Sequence, residues 1–424
     1  MPRAVGSNAP CCGRAIELAI PKARAVKNIL CVFGTRPEAV KMAPVILALR
    51  ARSTEFRCRV VLTAQHREML DQVMSLFSLQ ADHDLNVMTE GQSLSDVTVR
   101  VLERMGPVLD SEKPDLVLVH GDTTTTLAAA LAAFYQKVSV GHVEAGLRSY
   151  DLQNPFPEEM NRRVADTISS LHFAPTDLAR RQLLAEGVSP EGIFVTGNSG
   201  IDALHLALAR FAQEGTRRPA IIPSELDGRP YVLITAHRRE NFGAPLAEFC
   251  GAVAAIAKSR PEIHFVYPVH PNPQVQGPVR AVLDGRPNVH LLPPLEYGDL
   301  LFLLKGARFV LTDSGGLQEE APALGKPVLV LRKVTERPEA VKAGTARVIG
   351  TDARKVRRWI LRLLDEGATY HRMANAVNPY GDGRAAERTV EGIRYFFGLR
   401  RTRPGEFRAE RRRIASNLEL LRSA

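Results

Sequence analysis

The sequence predicts an α/β protein built from two doubly wound, Rossmann-like parallel-sheet halves that face a cleft. Three observations predict it. Short apolar runs alternate with amphipathic segments of ten or more residues from residue 28 onward; a polar stretch containing Pro and Gly interrupts the alternation at 214–230; and a second series of apolar runs begins at Tyr231. Strands that alternate with helical patterns of this length imply βαβ units, and βαβ units imply parallel pairing. Ligands then fall at the carboxyl ends of the strands, in the cleft.

In the first half the apolar runs are Asn28–Phe33, Arg57–Thr63, Asp115–His120, Val138–Val143 and Ile193–Thr196. Helical periodicity places helices at Val40–Arg52, Glu68–Leu79, Ser93–Asp110, Thr124–Gln136, Glu158–Ser170 and Asp177–Glu186. Strands of the second half are expected at Tyr231–Thr235, His264–Pro268, Val289–Leu292, Phe309–Thr312, Val328–Leu331 and Arg347–Ile349. A last helix, Ala385–Phe397, follows a turn rich in Gly, Asn and Asp and is expected to cross back to the first half. The organisation is therefore a basic N-terminal extension (1–27), a first half (28–213), a linker (214–230), a second half (231–398) and a basic C-terminal tail (399–424).

With 424 residues, 45% hydrophobic and 24% charged, the chain has ordinary globular composition, which excludes disorder, collagen-like repeats and disulfide miniproteins. No apolar run approaches the ~18–20 residues that cross a bilayer, so no membrane span is expected. The five cysteines show neither Cys-x-x-Cys nor zinc-like spacing, and the reading is a reduced, cytoplasmic protein without a metal. The net charge of +10 suggests nucleic acid until it is located. Residues 1–28 hold five cations against Glu17, and residues 399–424 hold eight arginines against three glutamates, so the body between them is nearly neutral. That distribution argues against a nucleic-acid groove and reads as solvated tails.

Most unusual local sequences follow a predicted strand. Gly34–Thr35–Arg36–Pro37–Glu38 reads as a capping box with proline in the first turn, which accounts for Thr35, Pro37 and Glu38. It leaves Arg36 and Lys41 over, and two cations at a helix N-terminus suit an anion, so capping and phosphate binding both stand. Asp122, before an Ala-rich helix, reads as an N-cap. Glu144 ends the next strand, and Glu158 and Glu159 open a helix, where acids favour the dipole. Three acidic positions in one cleft would have unequal pKa values suited to acid–base work. His237 and His270 follow strands of the second half without metal-like spacing. Ser314–Gly315–Gly316 between a strand and a helix lets backbone amides approach an oxyanion, and Glu320 lies one and a half turns along, in reach of a ribose. Arg332, Arg337 and Glu339 follow. Neither Gly-x-Gly-x-x-Gly nor the P-loop signature occurs, so a nucleotide-sugar enzyme fits better than a dehydrogenase or NTPase.

Together these motifs, with Gln65–His66–Arg67–Glu68–Met69, Thr196–Gly197–Asn198 and Thr335–Ala340, resemble the non-hydrolysing bacterial UDP-N-acetylglucosamine 2-epimerases over roughly residues 28–397. The resemblance implies the two-domain GT-B fold, and interconversion of UDP-GlcNAc and UDP-ManNAc through a 2-acetamidoglucal, with no NAD and no metal. It also implies Asp122, Glu144 and Glu158 as acid–base carboxylates, with His237 catalytic or against the diphosphate. Arg36, Lys41, Ser314, Gly315, Gly316 and Arg337 would hold the diphosphate, Glu320 the ribose, and His270 the nucleotide pocket. Gln65, His66 and Arg67 would help bind a second UDP-GlcNAc as activator, their other reading being a polar helix start. A homodimer is implied as well. Leu300 stands in a run where the family often has an aromatic beside the uracil. The alternatives left open are an epimerase of another UDP-2-acetamido sugar, a hydrolysing 2-epimerase, a GT-B glycosyltransferase that would need an acceptor, and a sugar-nucleotide-binding regulator.

Overall fold

The computed structural model describes residues 26–63, 67–89, 91–215 and 218–409. The first half is a seven-stranded parallel sheet of β1 (Lys27–Phe33), β2 (Phe56–Leu62), β3 (His83–Asp84), β4 (Leu116–His120), β5 (Ser139–Val143), β6 (Leu171–Ala174) and β7 (Ile193–Val195), in the order β3-β2-β1-β4-β5-β6-β7. The second is a six-stranded parallel sheet of β8 (Tyr231–Thr235), β9 (His264–Pro268), β10 (Val289–Leu292), β11 (Phe309–Thr312), β12 (Val328–Val330) and β13 (Ala346–Val348), in the order β10-β9-β8-β11-β12-β13. Helices cover both faces of such sheets, so central strands read as continuous apolar runs; every residue of β4, β8 and β11 is buried. The strand order reverses between β1 and β4 and between β8 and β11, and the crevices at those switch points receive the loops that carry Arg36, Asp122, His237 and Ser314.

The strands expected from sequence are present within a residue or two, and β3 and β6 were not foreseen. β3 has two residues, and β6 carries His172, whose Nε2 bonds the Asp166 carbonyl at 2.8 Å and so satisfies a polar group that masks the apolar signal. The Ser199–Glu214 helix was also missed. Its N-cap is Asn198, whose side chain accepts from Gly200 N at 2.8 Å.

Each half has an apolar cluster of its own on the outer face of its sheet, but the largest cluster belongs to both. It runs from Phe33 and Ile46 through Leu204, Ile222 and Leu226 to Leu233, Leu304 and Val310. The stretch that reads as a polar linker thus buries Ile222 and Leu226 within it. The Ala385–Phe396 helix returns to the first half: Asp202 accepts from its first two amides at 3.1 and 2.9 Å, and Arg394 pairs with Glu55 at 2.8 Å. Residues 399–409 follow it, and here the solvated-tail reading is corrected. Phe407 is buried and its amide donates to Val195 O at 2.7 Å, while Glu406 pairs with Arg180 at 2.7 Å. Arg403 adds bonds to the carbonyls of Glu191 (3.1 Å) and Pro190 (3.2 Å) and lies over the Phe194 ring, and Arg400 pairs with Glu391 at 2.6 Å, so buried Phe407 and these arginines anchor the segment together.

Candidate active site

The loop after β1 is shaped by packing. A Cβ on Gly34 would lie 2.0 Å from Thr63 Oγ1, so only glycine passes β2 at that point. Glu38 Oε2 then accepts from the amides of Gly34 and Thr35 at 3.0 and 2.7 Å, and its Oε1 from Thr123 Oγ1 at 2.7 Å. The capping box is real, and it ties the β1 loop to the β4 loop. Arg36 is left to reach toward the second half, where it donates to Leu295 O at 3.5 Å.

After β4 the cap of the Thr124–Tyr135 helix is Thr123, whose hydroxyl accepts from Thr126 N at 3.2 Å. The reading of Asp122 as the N-cap is therefore corrected: its carboxylate is turned away from the helix and pairs with Arg162, and its carbonyl accepts from Asn161 Nδ2 at 2.9 Å. Gly121, at φ +69°, makes the turn that permits this. Glu159 is wholly buried and accepts from the amides of Ser149 and Tyr150 at 2.9 and 3.1 Å. It is the residue that folds the loop; Glu158 beside it keeps a buried oxygen, Oε2, that has no partner among the described residues. Burial, reinforced by the charge of Asp122, raises the Glu158 pKa above the usual glutamate value.

Glu144 lies in the opposite setting. Its backbone is left-handed (φ +68°), which turns the side chain inward to pair with Lys41 and to accept from Asn198 Nδ2 at 2.9 Å. Burial opposes its ionisation, but Lys41, His120 and Arg337 outweigh burial and hold the carboxyl well below the usual range. His120 Nε2 is 3.4 Å from Glu144 Oε2, and burial depresses its pKa to about 3, so this imidazole is neutral. Beneath both loops, His142 bridges Asp166 Oδ1 (2.6 Å) and Gly121 O (2.7 Å), while Arg148 reaches Asp166 Oδ2 at 2.8 Å. Burial would discharge His142, but the Asp166 charge and bond prevail and its pKa is raised. Both ring nitrogens then act as donors, fixing Gly121 and the loop that carries Asp122.

In the second half, the buried carboxylate of Asp313 accepts from the amides of His237 and Arg238 at 2.9 and 2.8 Å and from Asn241 Nδ2 at 3.1 Å. It shapes the loop after β8. The His237 ring stacks on His270 with centroids 5.5 Å apart, and burial lowers its pKa against the pull of Asp313. Ser314 precedes the Gly315–Ala323 helix, and the NH2 group of Arg337 lies 3.7 Å from where a Gly315 Cβ would stand. A guanidinium thus faces a glycine-lined helix N-terminus, which is an anion-binding geometry. Tyr297 OH donates to Glu320 Oε1 at 3.3 Å, and burial, with Glu319 adjacent, raises the Glu320 pKa to about 7.

The predicted residues thus gather on both walls of one cleft, apart from the regulatory set: Gln65 and His66 lie outside the described residues, and Arg67 opens the Arg67–Leu76 helix. Lys41 differs from its expected setting, since its ammonium is taken up by Glu144 and lies 3.7 Å from Glu319. Sequence reasoning missed Glu319, His142, Asp166 and Arg162 as parts of the site. An acid beside Glu320 and an arginine four residues after Glu158 were the only signals for two of them. Among the described residues no group of three or more His, Cys, Asp or Glu side chains is arranged to hold a metal ion, and no helix is long and apolar enough to cross a membrane.

Residues 48–394 match the family model described as UDP-N-acetylglucosamine 2-epimerase. The chain belongs to the UDP-N-acetylglucosamine 2-epimerase family. An Escherichia coli O157:H7 protein of that name is 51% identical over 370 residues, 87% of this chain and 98% of that one. Among solved structures, the Neisseria meningitidis UDP-GlcNAc 2-epimerase bound to UDP-GlcNAc is 48% identical, with a TM-score of 0.80 over 86% of this chain and 99% of that one. Staphylococcus aureus MnaA, solved with UDP, is 46% identical with a TM-score of 0.81 over 90% of this chain and all of that one. The 2-epimerase family assignment and the two-sheet GT-B architecture therefore agree.

Proposed function

We propose that the chain interconverts UDP-GlcNAc and UDP-ManNAc by elimination of UDP and its re-addition. A carboxylate takes the C2 proton, the C2–H electron pair becomes the C1=C2 double bond, and the C1–O pair leaves with UDP. Return of a proton to the opposite face of C2, with attack of the UDP oxygen on C1, gives the other epimer. The observation that carries this reading is the unequal pair of carboxylates. Glu144 is held ionised under Lys41, whereas burial raises the Glu158 pKa and leaves its Oε2 without a partner among the described residues, so one cleft presents two carboxyls with opposite pKa shifts, the kind of pair from which acid and base roles are divided. Asp122, braced by Arg162, would be the third member. Two relatives solved with UDP-GlcNAc and with UDP support the ligand class.

The diphosphate would sit at the Ser314–Gly315–Gly316 helix start between Arg337 and Arg36, where growing negative charge on the leaving group meets fixed cations. His237, beside its stacked partner His270, would face the same group, and Glu320 would take the ribose. Lys41 would act on Glu144 first, keeping it a carboxylate.

Incubation with UDP-GlcNAc in D2O, in EDTA and without NAD, tests the reading. Deuterium should enter C2 as UDP-ManNAc appears. Epimerisation without deuterium, or no reaction unless metal or NAD is added, would refute it.

A further inference from the structure

Glu319 has no part in the chemistry above, yet its side chain meets Arg337, Asn198 and Lys41 together. It lies in the Gly315–Ala323 helix of the second half and its side chain is 4% exposed. Oε1 accepts from Arg337 Nε; Oε2 accepts from Asn198 Nδ2 at 2.8 Å and lies 3.7 Å from Lys41 Nζ. Asn198 Nδ2 and Lys41 Nζ are also the two donors that hold Glu144 Oε1. One carboxylate therefore stands between the arginine at the proposed diphosphate end of the cleft and both donors of the carboxylate at the proton-transfer end.

The geometry explains why the arginine needs it. A guanidinium fixed through Nε cannot swing about its own axis, so its terminal nitrogens keep one direction, and the NH2 group keeps facing Gly315. Without that anchor the guanidinium keeps its NH1 contact to Glu336 O, at 3.3 Å, and can turn toward Glu144, whose charge it already feels. Oε2 does the same for Asn198 and Lys41, holding them from the second half while they hold Glu144 in the first.

We propose that Glu319 is the positioning residue that aims Arg337 at the leaving group and, through Asn198 and Lys41, links leaving-group binding to Glu144. The proposal rests on the reaction given above for the identity of the leaving group. A carboxylate accepts on both oxygens, whereas an amide has one acceptor; with Asn198 and Lys41 both on the Oε2 side, the amide oxygen of Glu319→Gln turns there and its NH2 group meets Arg337, so the Arg337 bond is lost.

UDP binding by calorimetry on the full chain, with thermal unfolding as the check on folding, is the experiment. Glu319→Gln should weaken UDP about tenfold or more, and it should weaken it less than about twofold when Arg337 is already Ala, because the effect passes through that side chain. With UDP-GlcNAc, kcat should fall further than UDP affinity, since the Glu144 end is disturbed too. Wild-type UDP affinity in Glu319→Gln, or losses that simply add with Arg337→Ala, would overturn the proposal. Should Glu319→Gln fail to fold, Glu319→Asp, whose shorter arm cannot reach both sides, is expected to weaken UDP by about threefold or more, and wild-type affinity there would overturn it equally. The two readings separate cleanly: a wild type that binds UDP with this coupling yet does not epimerise UDP-GlcNAc would sink the reaction and leave the positioning role standing.

Discussion

Replacing Lys41 with methionine removes the ammonium that stands between Glu144 and Glu319, whose side chains are 10% and 4% exposed. Two buried carboxylates are left facing each other. Removing one partner of a buried ion pair costs about 3–5 kcal/mol, and the lower end applies because Asn198 and Arg337 still donate to these oxygens. The pH dependence fixes the cause. In the wild type the Glu144 pKa is depressed below its unfolded value of about 4.3, so the pair contributes stability above that pH and loses it as pH falls through the folded value. In Lys41→Met burial dominates, the Glu144 pKa rises above the unfolded value, and the sign reverses: the variant gains stability on acidification as the carboxyl protonates. Urea unfolding of both proteins at pH 8 and pH 5.5 should show a gap of about 3 kcal/mol at the higher pH that shrinks at the lower. A gap below about 1 kcal/mol at pH 8, unchanged at pH 5.5, would refute the claim that Lys41 is what keeps Glu144 charged.

Asp122→Asn should lower kcat by about 10²–10⁴-fold and lower the thermal midpoint only modestly, because Thr123 and not Asp122 caps the helix and Arg162, on losing the Asp122 charge, keeps Glu159 at 3.3 Å; steady-state kinetics with wild-type turnover would remove Asp122 from the reaction. Asp166→Asn takes away the shared acceptor of buried His142 and Arg148 and should destabilise the fold by about 3–5 kcal/mol in denaturant titration. Because the folded pKa of His142 is raised, its contribution is full below its unfolded pKa of about 6.5 and fades as pH rises through the folded value, and Asp166→Asn should abolish that slope.

Much of the fold was legible because parallel strands buried on both faces leave unbroken apolar runs, as Leu116–His120 and Phe309–Thr312 do. Where a strand carried a partnered polar group, as with His172 in β6, or had only two residues, as in β3, periodicity had nothing to detect. The candidate site was legible wherever a residue type was odd for its place, such as Arg36 after a capping box or Glycines 315 and 316 after Ser314. It was illegible where the role is a contact across the chain. Asp122 looks like a cap until Thr123 is seen to fill that position, and Glu319 looks like any helical acid until residues 41, 198 and 337 converge on it. The docking of 399–409 rests on buried Phe407 and on Arg400, Arg403 and Glu406 finding partners outside the segment, which a count of charges does not show.

The return of the Ala385–Phe396 helix to the first half means that the second half hangs from two connections, residues 215–230 going out and 375–384 coming back. A body on one tether can swing and twist in any direction. On two tethers its easy motion is reduced to rotation about the line that joins them, like a door on a pair of pins. The returning pin passes through the site itself: Tyr380 O accepts from Asn198 N at 2.6 Å, and Asn378 donates to the Glu319 carbonyl at 3.2 Å. Any change of angle between the halves would have to be absorbed at these two crossings, and the returning one lies beside the groups that must meet.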